Sequence, residues 1–222
     1  MKSIHGGAGS PGPGELKSAI VTSQRTIVGL REAAEAVVAA VSSLDPGPVA
    51  IGITGPVGSG KSTLATMLSE RAGAVVISTD RYLPDYHETP ESERDLPERS
   101  DLARLSRDLE ELVGGRPTKI PVWSFQTHRR EGEETVAPAD LIVCEGLHAL
   151  NEVVRPLYAH TVFVEATADE RLERWLRLSR RGERAWPTQQ TKSFFEGVAE
   201  PVFAARATRY RAMASFIVQN PG

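Results

Sequence analysis

Short apolar runs alternate with longer amphipathic stretches from Val49 onward. Near-continuous apolar runs of four to six residues are typical of strands buried on both faces, as in a parallel sheet covered by helices. The pattern predicts five strands, at 49–54, 74–78, 141–144, 161–164 and 215–218. Helices are predicted between them, at 60–71, 101–113, 169–181 and 191–211. The sequence therefore predicts an α/β fold with three layers and a mostly parallel, five-stranded sheet.

The chain before this alternation has a different character. Residues 1–20 are rich in Gly and Pro and hold hardly any large apolar side chain, which predicts a disordered leader. A helix is then predicted over about 23–43, because apolar residues recur at helical spacing at Ile27, Leu30, Ala34, Val37, Val38 and Val41. Residues 21–222 are expected to form a single domain. Within it, the polar segment 81–100 interrupts the pattern, as functional or mobile segments do.

Composition excludes several classes of protein. The 222 residues carry 26 Lys and Arg against 29 Asp and Glu, a net charge of −3, whereas a nucleic-acid-binding protein normally shows a basic excess. No stretch approaches the ~18 apolar residues that cross a bilayer. The single cysteine, Cys144, excludes an intramolecular disulfide and any multi-cysteine metal site. We expect a cytoplasmic protein without nucleic-acid or membrane partners, and homo-oligomerisation is left open.

A phosphate-loop motif, G-x-x-x-x-G-K-[ST], follows the first buried strand. Its glycines allow successive backbone N–H groups to turn inward around phosphate oxygens, and the next helix adds its positive end. Lys61 should hold the β- and γ-phosphates, and the Ser62 hydroxyl should ligate Mg²⁺. The motif predicts that ATP and Mg²⁺ bind at Gly55, Pro56, Val57, Gly58, Ser59, Gly60, Lys61, Ser62 and Thr63.

Two acidic residues directly follow buried strands. Asp80 comes after the run AVVIS, and Glu145 comes after LIVC. The carboxyl ends of parallel strands meet at one edge of the sheet, where ligands bind in open α/β folds. An Asp beside the γ-phosphate can accept the proton of an attacking hydroxyl, and a carboxylate such as Glu145 can hold Mg²⁺ directly or through a water. The alternatives are a helix cap for Asp80 and a turn residue for Glu145.

Five ordered segments together resemble the uridine kinase and phosphoribulokinase-type P-loop kinases. They are GPVGSGKST (55–63), STDRY (78–82), IPVWSFQTHRR (120–130), PADLIVCEG (138–146) and VFVEATADERLERWLR (162–177). The similarity extends from about Val49 to Val218. It implies a P-loop kinase fold with a small lid at about 178–191 and a pocket-forming hairpin. It also implies that Asp80 is the catalytic base that deprotonates a sugar hydroxyl.

The same resemblance implies an acceptor pocket lined by Trp123, Phe125 and His128. The residues agree in kind, because Trp123 and Phe125 alternate on one face of a short strand and can offer flat surfaces to a ligand. The alternative is that both are core aromatics beneath a hairpin. Glu98 lies in the segment that matches the ribose-binding stretch of uridine kinases, and it is expected to accept hydrogen bonds from acceptor hydroxyls.

A run of arginines lies on or just beyond the predicted helix 169–181. Guanidinium groups suit the charge that spreads over a transferring phosphoryl group, and the family's lid carries such arginines. Arg177 and Arg181 are assigned to the nucleotide, and Arg174 and Arg184 to the acceptor. The alternative is a solvated face balanced by neighbouring acids.

These features favour ATP-dependent phosphoryl transfer to a hydroxyl of a small molecule. A nucleoside of the uridine or cytidine type, accepting at its 5′-hydroxyl, is the leading acceptor. Trp123 and Ser124 stand where uridine kinases have Tyr and Asp, so a sugar, a sugar phosphate or a pantothenate-like alcohol is the alternative. A nucleotide-binding regulatory module without acceptor chemistry is the alternative from another class. A mechanical P-loop ATPase is the third, although pocket aromatics would then have no purpose.

Overall fold

A computed structural model describes residues 24–183 and 186–221. Its strands, in chain order, are β1 (Arg25–Val28), β2 (Val49–Thr54), β3 (Val75–Ser78), β4 (Thr118–Ser124), β5 (Arg129–Val136), β6 (Leu141–Glu145), β7 (Tyr158–Glu165) and β8 (Phe216–Gln219). Six of them form one sheet in the order β1-β8-β7-β2-β6-β3, and every neighbouring pair is parallel. The other two, β4 and β5, form an antiparallel hairpin.

Helices cover both faces of this sheet. They are α1 (Leu30–Ser42), α2 (Lys61–Ala72), α3 (Leu102–Val113), α4 (Ala168–Arg180), α5 (Thr188–Phe194) and α6 (Glu200–Ala212). One apolar core lies between the sheet and α1 with α2, and a second lies between the sheet and α3 with α6. The central strand β2 serves both, because Ile51 and Ile53 face the first core and Ala50 faces the second. This explains the near-continuous apolar runs, and it confirms the α/β class and the parallel sheet.

The sheet has six strands where the sequence predicted five. The missed strand is β1, which pairs with β8 at the sheet edge in a stretch predicted to begin a helix at 23. Three of its four residues are exposed, so the segment lacks the apolar run of a buried strand. Gly29, at φ 92°, turns the chain between β1 and α1. The helix therefore begins at Leu30, and Ile27 contacts the core from a strand.

The predicted helix 191–211 is instead two helices joined by a π-helical turn at Phe195–Ala199. Pro201, in the first turn of α6, has no N–H to continue the α-helical ladder, and the wider turn accommodates this. The remaining predicted strands and helices lie within three residues of the observed ones. The predicted leader 1–20 lies outside the described residues. None of the helices in the described part of the chain has the length and apolar character needed to span a membrane.

Candidate active site

The loop between β2 and α2, residues 55–60, has the backbone geometry of a phosphate cradle. Gly58 and Gly60 have φ values of 74° and 106°, which side-chain-bearing residues rarely adopt. A Cβ on Gly58 would lie 2.3 Å from the Arg171 carbonyl oxygen, so this glycine also permits close packing against α4. The Ser59 hydroxyl is buried without a hydrogen-bond partner among the described residues.

Lys61 and Ser62 begin α2 directly beyond this loop. Lys61 is buried, and its Nζ donates a hydrogen bond to the Pro56 carbonyl oxygen at 3.0 Å, which holds the ammonium group across the loop. Of the nine phosphate-loop residues predicted to hold the nucleotide, six line the cavity beside the loop: Val57, Gly58, Gly60, Lys61, Ser62 and Thr63. Gly55, Pro56 and Ser59 form the loop behind them.

Glu145 lies at the end of β6, where the parallel sheet brings it to the same edge as Ser62. Ser62 Oγ donates a hydrogen bond to Glu145 Oε2 at 3.3 Å. Burial, followed by the neighbouring Asp80 carboxylate, raises the pKa of Glu145 above its ordinary value, while Lys61 opposes this shift. A hydroxyl and a buried carboxylate at this spacing are donors that suit Mg²⁺. A divalent cation between them would also relieve the charge repulsion between Glu145 and Asp80.

Asp80 lies in a single helical turn, Thr79–Tyr82, that directly follows β3. Its backbone N–H donates to Ser78 Oγ at 3.2 Å, which begins this turn. The side chain is partly exposed and lines the same cavity as Lys61 and Glu145. The predicted gathering of Asp80, Glu145 and the phosphate loop at one edge of the sheet is present in the structure.

This cavity has a volume of about 420 Å³ and extends from the phosphate loop to the hairpin. Trp123 is buried at the end of β4, and Phe125 meets it edge to face at 5.1 Å between ring centroids. His128, in the hairpin turn, has a φ of 54° and lies parallel to Trp186 at 4.7 Å. All four rings line the cavity. The aromatic side chains predicted to line the acceptor pocket thus border the same cavity as the phosphate loop, and the Trp123 indole N–H donates to the Pro84 carbonyl oxygen at 3.2 Å.

The polar segment 81–100 contributes a carboxylate that the sequence did not single out. Asp95 is 7% exposed, lines the cavity, and accepts a hydrogen bond from the Tyr86 hydroxyl at 3.0 Å. His148 lies behind it, with Nε2 2.7 Å from the Asp95 carbonyl oxygen. Because a carbonyl only accepts, this nitrogen carries the proton, and Nδ1 accepts from the Tyr210 hydroxyl at 3.2 Å. Burial lowers the pKa of His148 to about 4, so the ring is neutral at pH 7.

Glu98, the acid expected to bind acceptor hydroxyls, does not line the cavity. Its side chain is 67% exposed and accepts a hydrogen bond from Arg206 Nη2 at 3.0 Å. The reason is local: Pro97–Arg99 forms a tight helical turn that directs Glu98 toward α6. The structure corrects the expectation for Glu98 and places Asp95 in the cavity instead.

The arginines of α4 have different surroundings. Arg177 and Arg181 line the cavity as predicted for nucleotide contacts. Arg174 also lines it, but its guanidinium donates to the Gly58 and Asn220 carbonyl oxygens at 3.3 and 3.2 Å, which places it beside the phosphate loop rather than the aromatic pocket. Arg171 is buried in a two-bond pair with Glu200. Arg184, the fourth predicted site residue of this run, lies outside the described residues.

Several cavity residues were not predicted from the sequence, among them the polar and aromatic side chains of Tyr86, Asp95, His148 and Trp186. Tyr86 and Asp95 fall in the segment 81–100, which was singled out as a whole. Its several acids gave no signal as to which turns inward. His148 has no partner pattern in the sequence, which predicts an ordinary polar or packing residue at that position. Trp186 carried no pattern of its own.

The chain has relatives among known proteins. The family model described as the phosphoribulokinase/uridine kinase family matches residues 50–192. A uridine kinase from Lactobacillus helveticus is 31% identical over 186 residues, which is 79% of this chain and 88% of that protein. A uridine kinase from Clostridium botulinum (strain Okra) is 37% identical over 140 residues, 58% of this chain and 68% of that protein.

Two solved structures share the fold. A protein from Silicibacter sp. TM1040 described as a fructose transport system kinase superimposes with a TM-score of 0.65 at 18% identity, covering 85% of this chain and 98% of that one. A possible uridine kinase from Bacillus stearothermophilus superimposes with a TM-score of 0.57 at 17% identity, with the same coverage of both chains. At this level of identity, the two likenesses establish the fold.

Proposed function

The chain belongs to the phosphoribulokinase/uridine kinase family, and from this premise we propose that it phosphorylates the primary hydroxyl of a neutral nucleoside, with Asp80 as general base. Family membership makes it an ATP-dependent small-molecule kinase that transfers a phosphoryl group to a hydroxyl. The observation that carries the proposal is that Asp80 lines one cavity together with Lys61 of the phosphate loop and the aromatic side chains. A triphosphate and an alcohol bound in that cavity would both be within reach of one carboxylate.

The residues around Ser62 and Glu145 fit a Mg²⁺ ion. Both oxygens are hard donors at the edge of the phosphate loop, and Glu145 is buried beside a second carboxylate. Among the described residues, no group of three or more His, Cys, Asp and Glu side chains could hold a metal by itself. This suits an ion that takes most of its ligands from phosphates and water. When bound, Mg²⁺ would be held by Ser62 and Glu145 and would supply positive charge that offsets the negative charge developing on the phosphates.

In the proposed mechanism, the backbone N–H groups of the phosphate loop bind the triphosphate and Lys61 exchanges its bond to Pro56 for phosphate oxygens. Arg177 and Arg181 contribute positive charge from α4. Asp80 accepts the proton of the acceptor hydroxyl as its oxygen attacks the γ-phosphorus. Phosphorus forms a bond to the acceptor oxygen and loses its bond to the β–γ bridging oxygen, which leaves with ADP.

The part of the cavity formed by the hairpin and the segment 81–100 favours an acceptor that is neutral and carries both a ring and several hydroxyls. The hairpin and the segment 81–100 contribute Tyr86, Trp123, Phe125 and His128, which offer ring faces, and Asp95, which can accept hydrogen bonds from hydroxyls. The arginines described along the cavity, Arg174, Arg177 and Arg181, lie on or directly after α4, and the Arg94 guanidinium lies 5.1 Å from the centroid of the Tyr86 ring. A sugar phosphate would place its own phosphate near the Asp95 carboxylate, which repels it, so a nucleoside is the better match.

The test is a panel of acceptors supplied with Mg²⁺ and ATP: uridine, cytidine, a free sugar, a sugar phosphate and pantothenate. We expect the highest kcat/KM for a pyrimidine nucleoside, with ADP and the 5′-phosphate formed in equal amounts. Preference for the sugar phosphate would contradict the acceptor assignment. If no member of the panel is turned over while ATP still binds, a nucleotide-binding module becomes the better description.

A further inference from the structure

The buried imidazole of His148 joins two parts of the active site that are distant in sequence. It lies three residues after Glu145, on the turn that leaves β6. Its Nε2–H donates to the backbone carbonyl of Asp95 at 2.7 Å, across 53 positions of the chain. The ring is 3% exposed and borders the cavity. One hydrogen bond thus connects the turn after Glu145, a proposed Mg²⁺ ligand, to the polar segment 81–100, which carries the Asp95 carboxylate.

The remaining surroundings of His148 fix its tautomer. Nδ1 accepts from the Tyr210 hydroxyl of α6, whose ring packs against the imidazole at 6.2 Å between centroids. Tyr210 is itself 3% exposed and belongs to the apolar core beneath the sheet. The core therefore holds His148 with its N–H directed at Asp95.

The polar segment 81–100, here called the acceptor segment, contains only short helical turns. Asp95 lies between two of them, Glu91–Glu93 and Pro97–Arg99. Whereas His148 bonds the backbone carbonyl of Asp95, the Tyr86 hydroxyl donates a hydrogen bond to the Asp95 carboxylate. The Tyr86 ring lies beside Trp123 in the aromatic pocket. The backbone of Asp95 is thus bonded to His148 and its carboxylate to Tyr86.

We propose that His148 is a positioning residue for the acceptor: through the Asp95 carbonyl it holds the Asp95 carboxylate in place to bind acceptor hydroxyls. This rests on the proposed function, because it assumes that Asp95 contacts the acceptor. His148 itself exchanges no proton with substrate. Its loss therefore raises the KM for the acceptor more than it lowers kcat and leaves the KM for ATP unchanged.

Two substitutions separate this role from simple packing. In His148→Gln, the side-chain amide N–H reaches about as far as Nε2 and can still donate to the Asp95 carbonyl, whereas in His148→Asn it reaches only as far as Nδ1. We expect His148→Asn to raise the KM for the preferred acceptor of the panel by about tenfold, as for a lost buried hydrogen bond, and His148→Gln to stay within about threefold of wild type. His160→Asn is the matched control, because His160 is a half-buried histidine of β7 that does not line the cavity.

Amide hydrogen exchange over residues 86–96 gives a second measurement that needs no turnover. Exchange should be faster in His148→Asn than in His148→Gln or wild type. Equal KM values and equal exchange in the Asn and Gln variants would overturn the proposal, as would a matching rise in the KM for ATP. Asp95→Asn separates the claim that Asp95 binds the acceptor from the claim that His148 anchors the segment. If it leaves the acceptor KM unchanged while exchange still depends on His148, the acceptor assignment of Asp95 fails and the anchoring of the segment remains.

Discussion

Ser62 Oγ, on the first turn of α2, lies 3.3 Å from Glu145 Oε2 at the end of β6 and donates a hydrogen bond to it. The two residues are 83 positions apart in the chain. They meet because β2, which precedes the phosphate loop, is the direct parallel neighbour of β6 in the sheet. The contact places a hydroxyl and a carboxylate beside the phosphate cradle, where Mg²⁺ would accompany the triphosphate.

Glu145→Gln should raise the Mg²⁺ concentration needed for half-maximal kinase activity by about 10- to 100-fold, because the amide supplies a weaker donor than the carboxylate. Ser62→Ala should act in the same direction. The measurement is initial rate against Mg²⁺ concentration at saturating ATP and acceptor. Thr66→Ala, a hydroxyl loss one turn further along α2 that only bonds the Ser62 carbonyl, is the control and should leave the curve unchanged.

Glu145→Gln should also stabilise the nucleotide-free protein at neutral pH. Burial and Asp80 raise the pKa of Glu145 in the folded state above its unfolded value, so its contribution to stability is present at acid pH and lost as pH rises through the folded value. Gln carries no charge and avoids this loss. Tm measured against pH should be higher for Glu145→Gln than for wild type at pH 7 to 8, and the two curves should converge toward pH 4. A Tm difference between Glu145→Gln and wild type that grows on acidification would contradict the raised pKa of Glu145.

Asp80→Asn should lower kcat by about 10²- to 10⁴-fold, because the amide cannot accept the proton of the acceptor hydroxyl. ATP affinity should be retained, since the phosphate loop binds the triphosphate without this side chain. Single-turnover rates and ATP Kd measured on the same preparation check both parts. Asp85→Asn is a suitable control, because Asp85 lies five residues further along the chain and, within the described residues, its carboxylate accepts a hydrogen bond only from the His87 backbone N–H. A fall of kcat of less than about tenfold for Asp80→Asn would argue against general-base catalysis.

Gly58→Ala should weaken ATP binding and cost about 3 kcal/mol of unfolding free energy. The added Cβ would meet the Arg171 carbonyl oxygen at 2.3 Å, in a backbone conformation with φ 74° that alanine disfavours. Gly73→Ala is the matched control: Gly73 has φ 63° at the end of α2, and a Cβ there meets no atom within 4 Å. It should cost about 1 kcal/mol from the backbone alone and leave ATP affinity unchanged. Urea unfolding and ATP titration of both variants measure the difference, and equal losses would contradict the role of close packing.

Local pattern was enough to predict the parts of the site that belong to regular elements. Phosphate-loop residues 55–63, Asp80 and Glu145 each follow a strand whose apolar run is visible in the sequence, and parallel strands deliver their carboxyl ends to one edge. The aromatic pocket was predicted from the resemblance to uridine kinases, and the alternation of Trp123 and Phe125 agreed with it. The predictions made from strand ends needed only the spacing of residues along single elements.

Tertiary structure alone decided which polar side chains turn inward from irregular segments. Between 81 and 100 the sequence offers several acids of similar surroundings. The turn at Pro97–Arg99 sends Glu98 toward Arg206, while bonds from Tyr86 and His148 hold Asp95 in the cavity. The edge strand β1 could not be predicted either, because it is defined by its pairing with β8, a contact across 191 positions of the chain. Periodicity reports the surroundings of a regular element, whereas a turn residue takes its direction from partners distant in the chain, and no local pattern encodes them.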